Sequence, residues 1–411
     1  MRELRVAIAG AGPAGLMAAI VLARDGHRVS LFERFERPRP VGAGLMLQPT
    51  GLACLARIGL DAAACAAGAR IDSIDGRTVS GRRIFDVAYG ALHPALFGLG
   101  IHRAALFKIL HDEVQRIGLP VTAGTDIVGS VVVGEARVLK DRAGVEHGPF
   151  DLVVDASGTH SPIRAVEGDV RTDVPYPYGA LWTVLAMPDT WPAKRALAQV
   201  YDGAHTMTGV LPIGHSPDDP RDLVALFWSI RRSDVEVWRH AGLDAWTAKV
   251  LRVWPALAPF LDQITSPQML TFATYADMTM RLRVGQRLAF IGDAGRTTSP
   301  QLGQGCNLAL IDATMLAIAL REGTALPDAL DAFAAARWRH STFYSIASRW
   351  LTPFFQSDSR VAGFIRDTTF PLMGHVPYLR REMVRTLAGM KTGLFSHLDP
   401  GIWSERYRLG G

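Results

Sequence analysis

The chain carries Gly10-Ala11-Gly12-Pro13-Ala14-Gly15 directly after an apolar run at residues 4–9, and this loop indicates how the whole molecule is organised. The apolar run predicts a buried strand, and the alanine- and leucine-rich segment that follows the loop predicts a helix. In such a loop, Gly10 permits a tight turn, Gly12 lets the backbone approach a pyrophosphate, and Gly15 lets the helix pack against the strand.

A second apolar run, Arg28 to Glu33, completes a strand–helix–strand unit that is typical of a parallel sheet. The start of the helix can hold phosphates through its free N–H groups and its dipole. Glu33 lies about 20 residues beyond the glycines, where an acid can accept hydrogen bonds from ribose hydroxyls. Glu33 and the adjacent Arg34 are therefore candidates for cofactor binding. The loop alone predicts a nucleotide site and leaves FAD and NAD as alternatives.

Length, charge and cysteine content exclude several other classes of protein. The 411 residues are enough for one large domain or two interlocked ones, and a net charge of +5 without a long basic stripe argues against nucleic acid binding. Cys54, Cys65 and Cys306 lie far apart, with no metal-ligand or disulfide spacing, which favours a reducing cytoplasm. No run of apolar residues has the length of a membrane span or of a secretion signal, so we expect a cytoplasmic protein.

The pattern of apolar residues changes along the chain and predicts a discontinuous layout. We expect a nucleotide-binding domain from residues 1–70, 101–173 and 286–326. Short alternating runs predict an antiparallel sheet from residues 71–100 and 174–285, which would bind the substrate. Residues 327–411 are expected to be helical. The predicted fold class is α/β, with a Rossmann-like domain, an interleaved antiparallel-sheet domain and C-terminal helices.

A second glycine-rich motif follows the predicted strand Arg287 to Ile291. It consists of Gly292-Asp293-Ala294 and, shortly after, Pro300-Gln301-Leu302-Gly303-Gln304-Gly305-Cys306-Asn307. This motif resembles the second FAD motif of the flavoprotein monooxygenases built like para-hydroxybenzoate hydroxylase. The resemblance implies that Asp293 bonds a ribityl hydroxyl of FAD. It also implies that the loop glycines let backbone N–H groups approach the flavin. The helix that follows directs its positive end at the part of the ring that gains charge on reduction.

Two further segments carry the same resemblance. Asp151 to Arg164 (DLVVDASGTHSPIR) is similar to the central motif of the family, with Ser157 in the place of the usual aspartate before Gly158. This departure puts in doubt how the pyrophosphate and the nicotinamide cofactor are handled. Ile101-His102-Arg103 is similar to the helix start whose arginine reaches the FAD phosphates, a task that suits the planar, always-charged guanidinium.

The stretch Arg39 to Pro49 resembles the mobile loop beside the flavin in the same family. Its glycines, Gly44 among them, give the backbone freedom to move. Gln48 is placed to line the site and is a catalytic candidate, with a solvent-facing loop glutamine as the alternative.

The resemblance covers nearly the whole chain and implies a function. The family reduces bound FAD with NAD(P)H, and a flavin C4a-hydroperoxide formed with O₂ then hydroxylates a small aromatic or quinone-like substrate. A separate nicotinamide domain is not expected, because no second GxGxxG unit with its acid occurs. Alternatives of the same fold are a flavin-dependent halogenase, although the WxWxIP motif of tryptophan halogenases is missing, and a reductase of prenyl chains. A non-catalytic flavin-binding protein is an alternative of another class.

The predicted middle sheet is expected to supply the substrate-binding surface. His205, in the alternating run Tyr201 to Gly214, is a candidate for accepting a proton from a phenol. Tyr275 is a third catalytic candidate, since it adds aromatic and hydroxyl surface. Ordinary packing within the sheet is the competing interpretation for both residues. No metal ligands are predicted.

The C-terminal region repeats apolar residues at helical spacing, with arginines between the repeats. These residues are Phe343, Ile346, Ala347, Trp350, Val361, Phe364, Ile365, Met383, Leu387 and Met390. We expect helices that pack on the rest of the molecule. Contact with a membrane surface through a basic amphipathic face is the less favoured alternative.

Overall fold

The computed structural model describes residues 2–37 and 42–398, and residues 39–41 of the loop assigned to the flavin lie outside the described residues. The helices are, in chain order, α1 (Pro13–Arg24), α2 (Pro49–Arg57), α3 (Asp61–Ala67), α4 (Arg103–Arg116), α5 (Pro162–Glu167), α6 (Val235–Val253), α7 (Ala258–Leu261), α8 (Gly305–Glu322), α9 (Leu326–Phe355), α10 (Arg360–His375) and α11 (Pro377–Leu387). The strands of the first half are β1 (Arg5–Ala9), β2 (Arg28–Phe32), β3 (Gly44–Leu47), β4 (Ala69–Ile71), β5 (Ser73–Thr78), β6 (Arg83–Ala88), β7 (Gly98–His102), β8 (Val121–Thr122), β9 (Ile127–Val133), β10 (Ala136–Asp141), β11 (Glu146–Phe150) and β12 (Leu152–Asp155). The strands of the second half are β13 (Val170–Pro175), β14 (Tyr178–Ala186), β15 (Ala196–Asp202), β16 (Thr206–Ser216), β17 (Asp219–Arg231), β18 (Thr271–Ala273), β19 (Ala276–Met280), β20 (Val284–Gly285), β21 (Leu288–Phe290) and β22 (Arg296–Thr297).

A six-stranded sheet in the order β20-β21-β12-β1-β2-β8 forms the centre of the nucleotide-binding part. Its strands are parallel apart from the edge strand β20, and they come from distant parts of the chain. The helices α1, α4 and α8 cover one face, with Leu16, Ile20 and Leu310 fully buried. Since the carboxyl ends of β1, β12 and β21 lie side by side, the three motifs that follow these strands meet at one edge of the sheet.

A seven-stranded sheet in the order β18-β14-β17-β16-β15-β5-β6 forms the second part. All its pairs are antiparallel except β15 with β5, so residues 73–88 join strands from the middle of the chain. The expected α/β class, with a Rossmann-like part, an interleaved mainly antiparallel sheet and C-terminal helices, is confirmed. The proposed domain boundaries stay a prediction.

One stretch that we expected to continue the sheet is helical instead. Residues 235–253 form α6, whose Trp246 and Val250 pack against Trp228 of the seven-stranded sheet. The helix is interrupted at Gly242, which has a φ of 82°. This break and the local alternation of apolar and polar residues at the start of α6 conceal the helical period in the sequence.

The C-terminal helices α9 to α11 are formed as expected, but their apolar residues do not all pack inward. Tyr344 and Phe355 of α9 are buried. The expectation that Trp350 and Phe364 pack is wrong, because they are 75% and 70% exposed on the outer faces of α9 and α10. Ile346, Val361 and Ile365 are exposed in the same way. Within residues 2–37 and 42–398, no helix is both long enough and apolar enough to cross a membrane.

Candidate active site

The glycine loop between β1 and α1 has the geometry that its three glycines predict. Gly10 has a φ of 101°, and a Cβ on it would lie 2.6 Å from the Ala156 carbonyl oxygen. A Cβ on Gly15 would lie only 1.9 Å from the Gly10 carbonyl oxygen. At Gly12 a Cβ would meet no atom within 4 Å, so this glycine borders open space at the start of α1. Close packing therefore requires Gly10 and Gly15, whereas Gly12 leaves room for a ligand.

Glu33 is buried against this loop and fixes its position. The Ala11 N–H donates to Glu33 Oε2 at 2.8 Å, and the Phe35 N–H donates to Oε1 at 3.0 Å. A carboxylate oxygen has two lone pairs, so Oε2 retains capacity for a ribose hydroxyl beside the loop. The neighbouring Arg34 is exposed, and its guanidinium lies 4.8 Å from the centre of the Phe35 ring.

The short turn Gly292–Ala294 brings Asp293 to the same edge of the sheet. Gly292 has a φ of 57°, and a Cβ on it would lie 2.9 Å from Ala14 Cβ, so only glycine lets α1 approach this turn. The Asp293 side chain faces solvent, although the dense protein around it raises the pKa of its carboxyl. The positive charge of Arg103 opposes this effect and lowers that pKa. Asp293 and Arg103 therefore lie near each other.

Arg103 begins α4 and contacts residues 42–49, the described part of the loop assigned to the flavin, which we call the flavin-loop segment. Its backbone N–H donates to the Ala43 carbonyl oxygen at 3.0 Å, and a Cβ on Gly42 would lie 3.0 Å from Arg103 Cδ. Burial raises the pKa of Tyr275 and of Cys306, and the charge of Arg103 opposes part of this rise in both groups. Arg103 thus lies near Asp293 and Cys306 of the second FAD motif and near Tyr275, a position compatible with the phosphate-binding role that the resemblance implies.

The departure at Ser157 has a structural explanation in the preceding aspartate. Asp155 is fully buried and accepts hydrogen bonds from the Ser157 N–H at 3.0 Å, from the Ser157 hydroxyl at 2.6 Å and from the Ser161 hydroxyl. Burial raises the pKa of this carboxyl. Gly158, with a φ of 89°, again borders open space. Asp155 and Ser157 therefore hold the turn in place, and the backbone near Gly158 remains accessible to a ligand.

The second motif forms a loop that packs tightly against β3. Asn307 is fully buried, and its Oδ1 accepts a hydrogen bond from the Gln48 N–H at 2.8 Å. Its Nδ2 donates to the carbonyl oxygens of Met46 and Gly303 at 3.1 and 3.0 Å. The Asn307 side chain thus joins two loops of the protein instead of pointing into open space, a function that the motif did not reveal. Because Gly303 has a φ of 60°, the turn there favours glycine.

The helix that follows this loop leaves its amino end open. At Gly305, the first residue of α8, a Cβ would meet no atom within 4 Å. Gln304 is buried, and its Nε2 donates to the Leu387 carbonyl oxygen at 2.7 Å while its Oε1 has no hydrogen-bond partner in the described structure. Pro300 starts the short turn Pro300–Leu302 that leads into the loop.

Gln48 is fully buried rather than solvent-facing, and Tyr89 sets the orientation of its amide. The Tyr89 hydroxyl donates to Gln48 Oε1 at 2.5 Å. Burial raises the pKa of Tyr89, so the hydroxyl stays protonated. Gln48 Nε2 has no hydrogen-bond partner in the described parts of the chain, and a Cβ on Gly303 would lie 3.9 Å from it. Sequence reasoning did not find Tyr89, because no motif includes it.

Tyr275 lies beside the aromatic face of the seven-stranded sheet. Its hydroxyl accepts a hydrogen bond from Trp182 Nε1 at 2.9 Å, and the Trp182 ring lies 4.9 Å from that of Phe227. Burial raises the pKa of Tyr275 to about 12. The hydroxyl is therefore neutral near pH 7, and its proton remains available for donation.

His205 lies at the opposite end of β16 from the segment that carries Gln48. It is exposed in the turn between β15 and β16, with Nδ1 2.9 Å from the Thr206 hydroxyl oxygen. The other end of β16 packs on the flavin-loop segment, where a Cβ on Gly44 would lie 2.6 Å from Ile213 Cγ2. Seven residues of extended strand separate these ends by roughly 20 Å. The role of His205 stays a prediction without support from its position.

Open space along the carboxyl edge of the six-stranded sheet would accept an elongated dinucleotide. Open space borders Gly12, Gly158 and Gly305, which follow β1, β12 and β21 in turn. Gln48 Nε2, which is buried and has no partner in the described part of the chain, lies near Gly303, just before α8. A dinucleotide with its phosphates at α1 and its flat ring at the start of α8 would fill this space and give Gln48 Nε2 an acceptor. The fold and the site thus define an FAD-binding protein of the para-hydroxybenzoate hydroxylase type.

Comparison with known proteins agrees with this class. The chain belongs to the FAD binding domain family, whose model matches residues 3–343. It is 29% identical over 343 residues to 3-amino-4-hydroxybenzoate 2-monooxygenase of Streptomyces cremeus, covering 77% of this chain and 78% of that protein. It is 25% identical over 337 residues to 2-heptyl-3-hydroxy-4(1H)-quinolone synthase of Mycobacteroides abscessus, covering 81% and 84%. The structure of Klebsiella pneumoniae HpxO complexed with FAD and uric acid has a similar fold, with a TM-score of 0.80, 18% identity and coverage of 95% and 98%. The chain is therefore an FAD-dependent monooxygenase.

Proposed function

We propose that this monooxygenase uses NAD(P)H and O₂ to hydroxylate a small, electron-rich aromatic or quinone-like ring that carries an acceptor oxygen. The observation that carries the proposal is an apolar cluster between the two parts of the molecule. Met46 of the flavin-loop segment belongs to it, and Phe85 and Trp182 of the sheet and Leu387 of α11 pack against it. A planar ring bound beside these side chains would lie against apolar surface that excludes water.

Two hydrogen-bond donors border this cluster and favour an oxygen acceptor on the substrate. Gln48 offers an N–H group whose direction the Tyr89 hydroxyl fixes. Tyr275 accepts from Trp182 and retains its own proton. An oxo, phenolate or carboxylate oxygen on the ring would accept from such donors, and the named substrates or products of the two relatives carry such oxygens. The FAD, once reduced by NAD(P)H, would activate O₂.

His205 lies far from the segment that carries Gln48, and its position does not support a role as a base. We therefore infer a substrate that reacts without losing a proton to the protein. A ring that already carries negative charge on an oxygen, or that is activated by an amino group, would not require deprotonation by the protein. Tyr275 and Gln48 would then orient the ring by donating to that oxygen. The apolar surface would keep water away from the reacting carbon.

A substrate screen tests the proposal directly. The FAD-loaded protein would be mixed with NADH or NADPH and with 2-alkyl-4-quinolones, aminohydroxybenzoates or hydroxyquinolines. We expect at least one of these to accelerate NAD(P)H oxidation and to gain one oxygen atom from ¹⁸O₂ in the product. Halide incorporation would indicate a halogenase, and reduction of a prenyl chain without oxygen gain would indicate a reductase. Stimulated oxidation with only hydrogen peroxide as the product, for every compound, would contradict the proposed substrate class.

A further inference from the structure

A cavity separate from the glycine motifs lies between the C-terminal helix α9 and the three-stranded sheet β13-β19-β22. Its volume is about 660 Å³. Five arginines line it, and none of its lining residues in the described structure is acidic. The five are Arg171, Arg281, Arg283, Arg296 and Arg349. A cavity with this lining has a strongly positive potential.

Buried carboxylates only partly compensate the arginines in and behind the cavity wall. Asp312 is shared between Arg283, whose Nη1 donates to Oδ1 at 3.0 Å, and Arg337, whose Nε donates to the same oxygen at 2.7 Å. Asp277 accepts from Arg349 Nε at 2.5 Å. The positive charges of these three arginines and of Arg296 therefore exceed the negative charges of Asp277 and Asp312 by two.

Arg296 is the residue in the wall with the least compensation. It lies between the two segments of the second FAD motif, two residues after Ala294, at the start of β22. Its Nη1 donates to the Ser345 hydroxyl, and its Nε has no hydrogen-bond partner within the described residues. Burial, together with the charge of Arg283, penalises the charged form and lowers the pKa of Arg296 to about 9. A bound anion would reverse this penalty.

Apolar residues complete the cavity and narrow the class of ligand. Met280, Leu282 and Ile346 line it, and Trp338, which is 61% exposed, stands among the lining residues on α9. Arg171 is exposed on β13, and Arg281 lies 3.9 Å from Asp169 in an exposed ion pair. An exposed ion pair contributes little to the free energy of folding, so Arg281 can leave Asp169 to bind a ligand. The exposed Arg171 can turn toward the same ligand.

We propose that this cavity binds the phosphate monoester group of a small organic molecule, with the organic part against Trp338. Arg171 and Arg296, which form no ion pair within the described residues, match the two charges of a phosphate dianion, and planar guanidinium groups with neighbouring hydroxyls are its usual partners. The proposal does not depend on turnover at the flavin. The phosphate could belong to NADPH, which carries one at the 2′ position, or to a separate phosphorylated metabolite.

Isothermal titration calorimetry of the FAD-loaded protein with 2′-AMP and inorganic phosphate tests the site. We expect saturable binding of 2′-AMP, with weaker binding of phosphate alone. Arg296→Gln, which retains a donor for Ser345, should weaken 2′-AMP binding at least tenfold. Arg171→Gln should weaken it several-fold without affecting the buried charges. Arg239→Gln, an exposed arginine of α6 outside the cavity, is the matched control and should bind as the wild type does.

Competition then identifies the source of the phosphate. Displacement of 2′-AMP by NADPH but not by NADH would assign the group to the dinucleotide, and displacement by neither would assign it to a separate metabolite. Both outcomes require the site. The absence of saturable binding, or equal affinity in the wild type and all three variants, would overturn the proposal even if the enzyme hydroxylates its substrate normally.

Discussion

The Tyr89 hydroxyl donates a 2.5 Å hydrogen bond to Gln48 Oε1, and Gln48 Nε2, on the other side of the amide, has no partner in the described structure. If the amide exchanged its oxygen and nitrogen positions, the Tyr89 hydroxyl would have to accept from Nε2, and an oxygen would replace the N–H group beside Gly303. Both residues are buried, with exposed fractions of 0% for Gln48 and 1% for Tyr89. The relationship converts a loop glutamine into a donor of fixed direction beside Gly303, where the flavin and the substrate would meet.

Tyr89→Phe should therefore loosen the orientation of Gln48 without removing Gln48 itself. Leaving Gln48 Oε1 without a donor costs about 1–3 kcal/mol. We expect normal FAD retention, a lower ratio of product to NAD(P)H oxidised and more hydrogen peroxide. Tyr378→Phe, at an exposed tyrosine of α11, serves as the control. An unchanged product ratio in Tyr89→Phe would show that the donor direction is irrelevant to catalysis.

Asp293→Ala should weaken FAD binding strongly. A carboxylate that accepts from a cofactor hydroxyl contributes about 1.5–3 kcal/mol, which is roughly tenfold to more than a hundredfold in affinity. Asp293→Asn keeps an acceptor of the same shape and should lose less. The measurement is the FAD dissociation constant from flavin fluorescence after removal of the cofactor. Equal constants for the wild type and Asp293→Ala would exclude the ribityl assignment.

Gly12→Ala and Gly15→Ala should separate cofactor binding from folding within one loop. At Gly12 the new methyl group enters open space, so the apoprotein should be as stable as the wild type while FAD binding falls at least tenfold. At Gly15 the methyl would lie 1.9 Å from the Gly10 carbonyl oxygen, so the apoprotein itself should lose stability. Urea denaturation of both apoproteins, followed by FAD titration, measures the two effects. Tight FAD binding by Gly12→Ala would place the pyrophosphate elsewhere.

The sequence predicted those parts of the site in which backbone geometry dictates residue type. Gly10 and Gly292 must be glycines because positive φ values and close contacts leave no room for a Cβ, and such positions recur as motifs. Side-chain contacts between distant segments leave no comparable pattern. Asn307 lies 259 positions from Gln48, and nothing in either segment predicts their hydrogen bond. The cationic cavity is likewise assembled from β13, β19, β22 and α9, so its arginines look scattered in the sequence.

The fold shows the same division between local and distant determinants. Helix α1 and strand β2 follow from local apolar periodicity, and they lie where the sequence predicts them. Helix α6 was missed because Gly242 interrupts its period and because its burial depends on Trp228 of a strand in the other layer. The exposure of Trp350 was also missed, because helical spacing groups apolar residues on one face of α9 but does not show whether that face is buried.

Stability should fall in mild acid because of His340. This histidine is buried, its Nε2–H donates to the Gly389 carbonyl oxygen at 2.8 Å, and its Nδ1 accepts from Arg337 Nη1 at 2.6 Å. Burial and the charge of Arg337 lower the pKa of His340 to about 3. The unfolded chain takes up this proton near pH 6.5, so stability is complete above that pH and decreases as the pH falls toward 3.

The corresponding measurement is urea unfolding at pH 7 and pH 5. One histidine of this kind accounts for up to about 2 kcal/mol of stability lost between these values. His340→Gln cannot take up a proton, so its unfolding free energy should depend less on pH over the same interval, although it is less stable at pH 7. Parallel pH dependence in the wild type and the variant would show that other groups cause the loss.

His205→Asn should leave catalysis unchanged. The imidazole is exposed in the turn between β15 and β16, and the strand end that packs against the flavin-loop segment is the opposite one, at Ile213. A base that removes a substrate proton must come within hydrogen-bond reach of it and would raise the rate by about 10² to 10⁴. We therefore expect the ratio of product to NAD(P)H oxidised to match the wild type from pH 6 to pH 9, with Gln48→Leu as the contrasting variant that lowers it. A loss of coupling in His205→Asn, with FAD binding intact, would mean that the turn moves to the flavin during turnover and would restore His205 as the base.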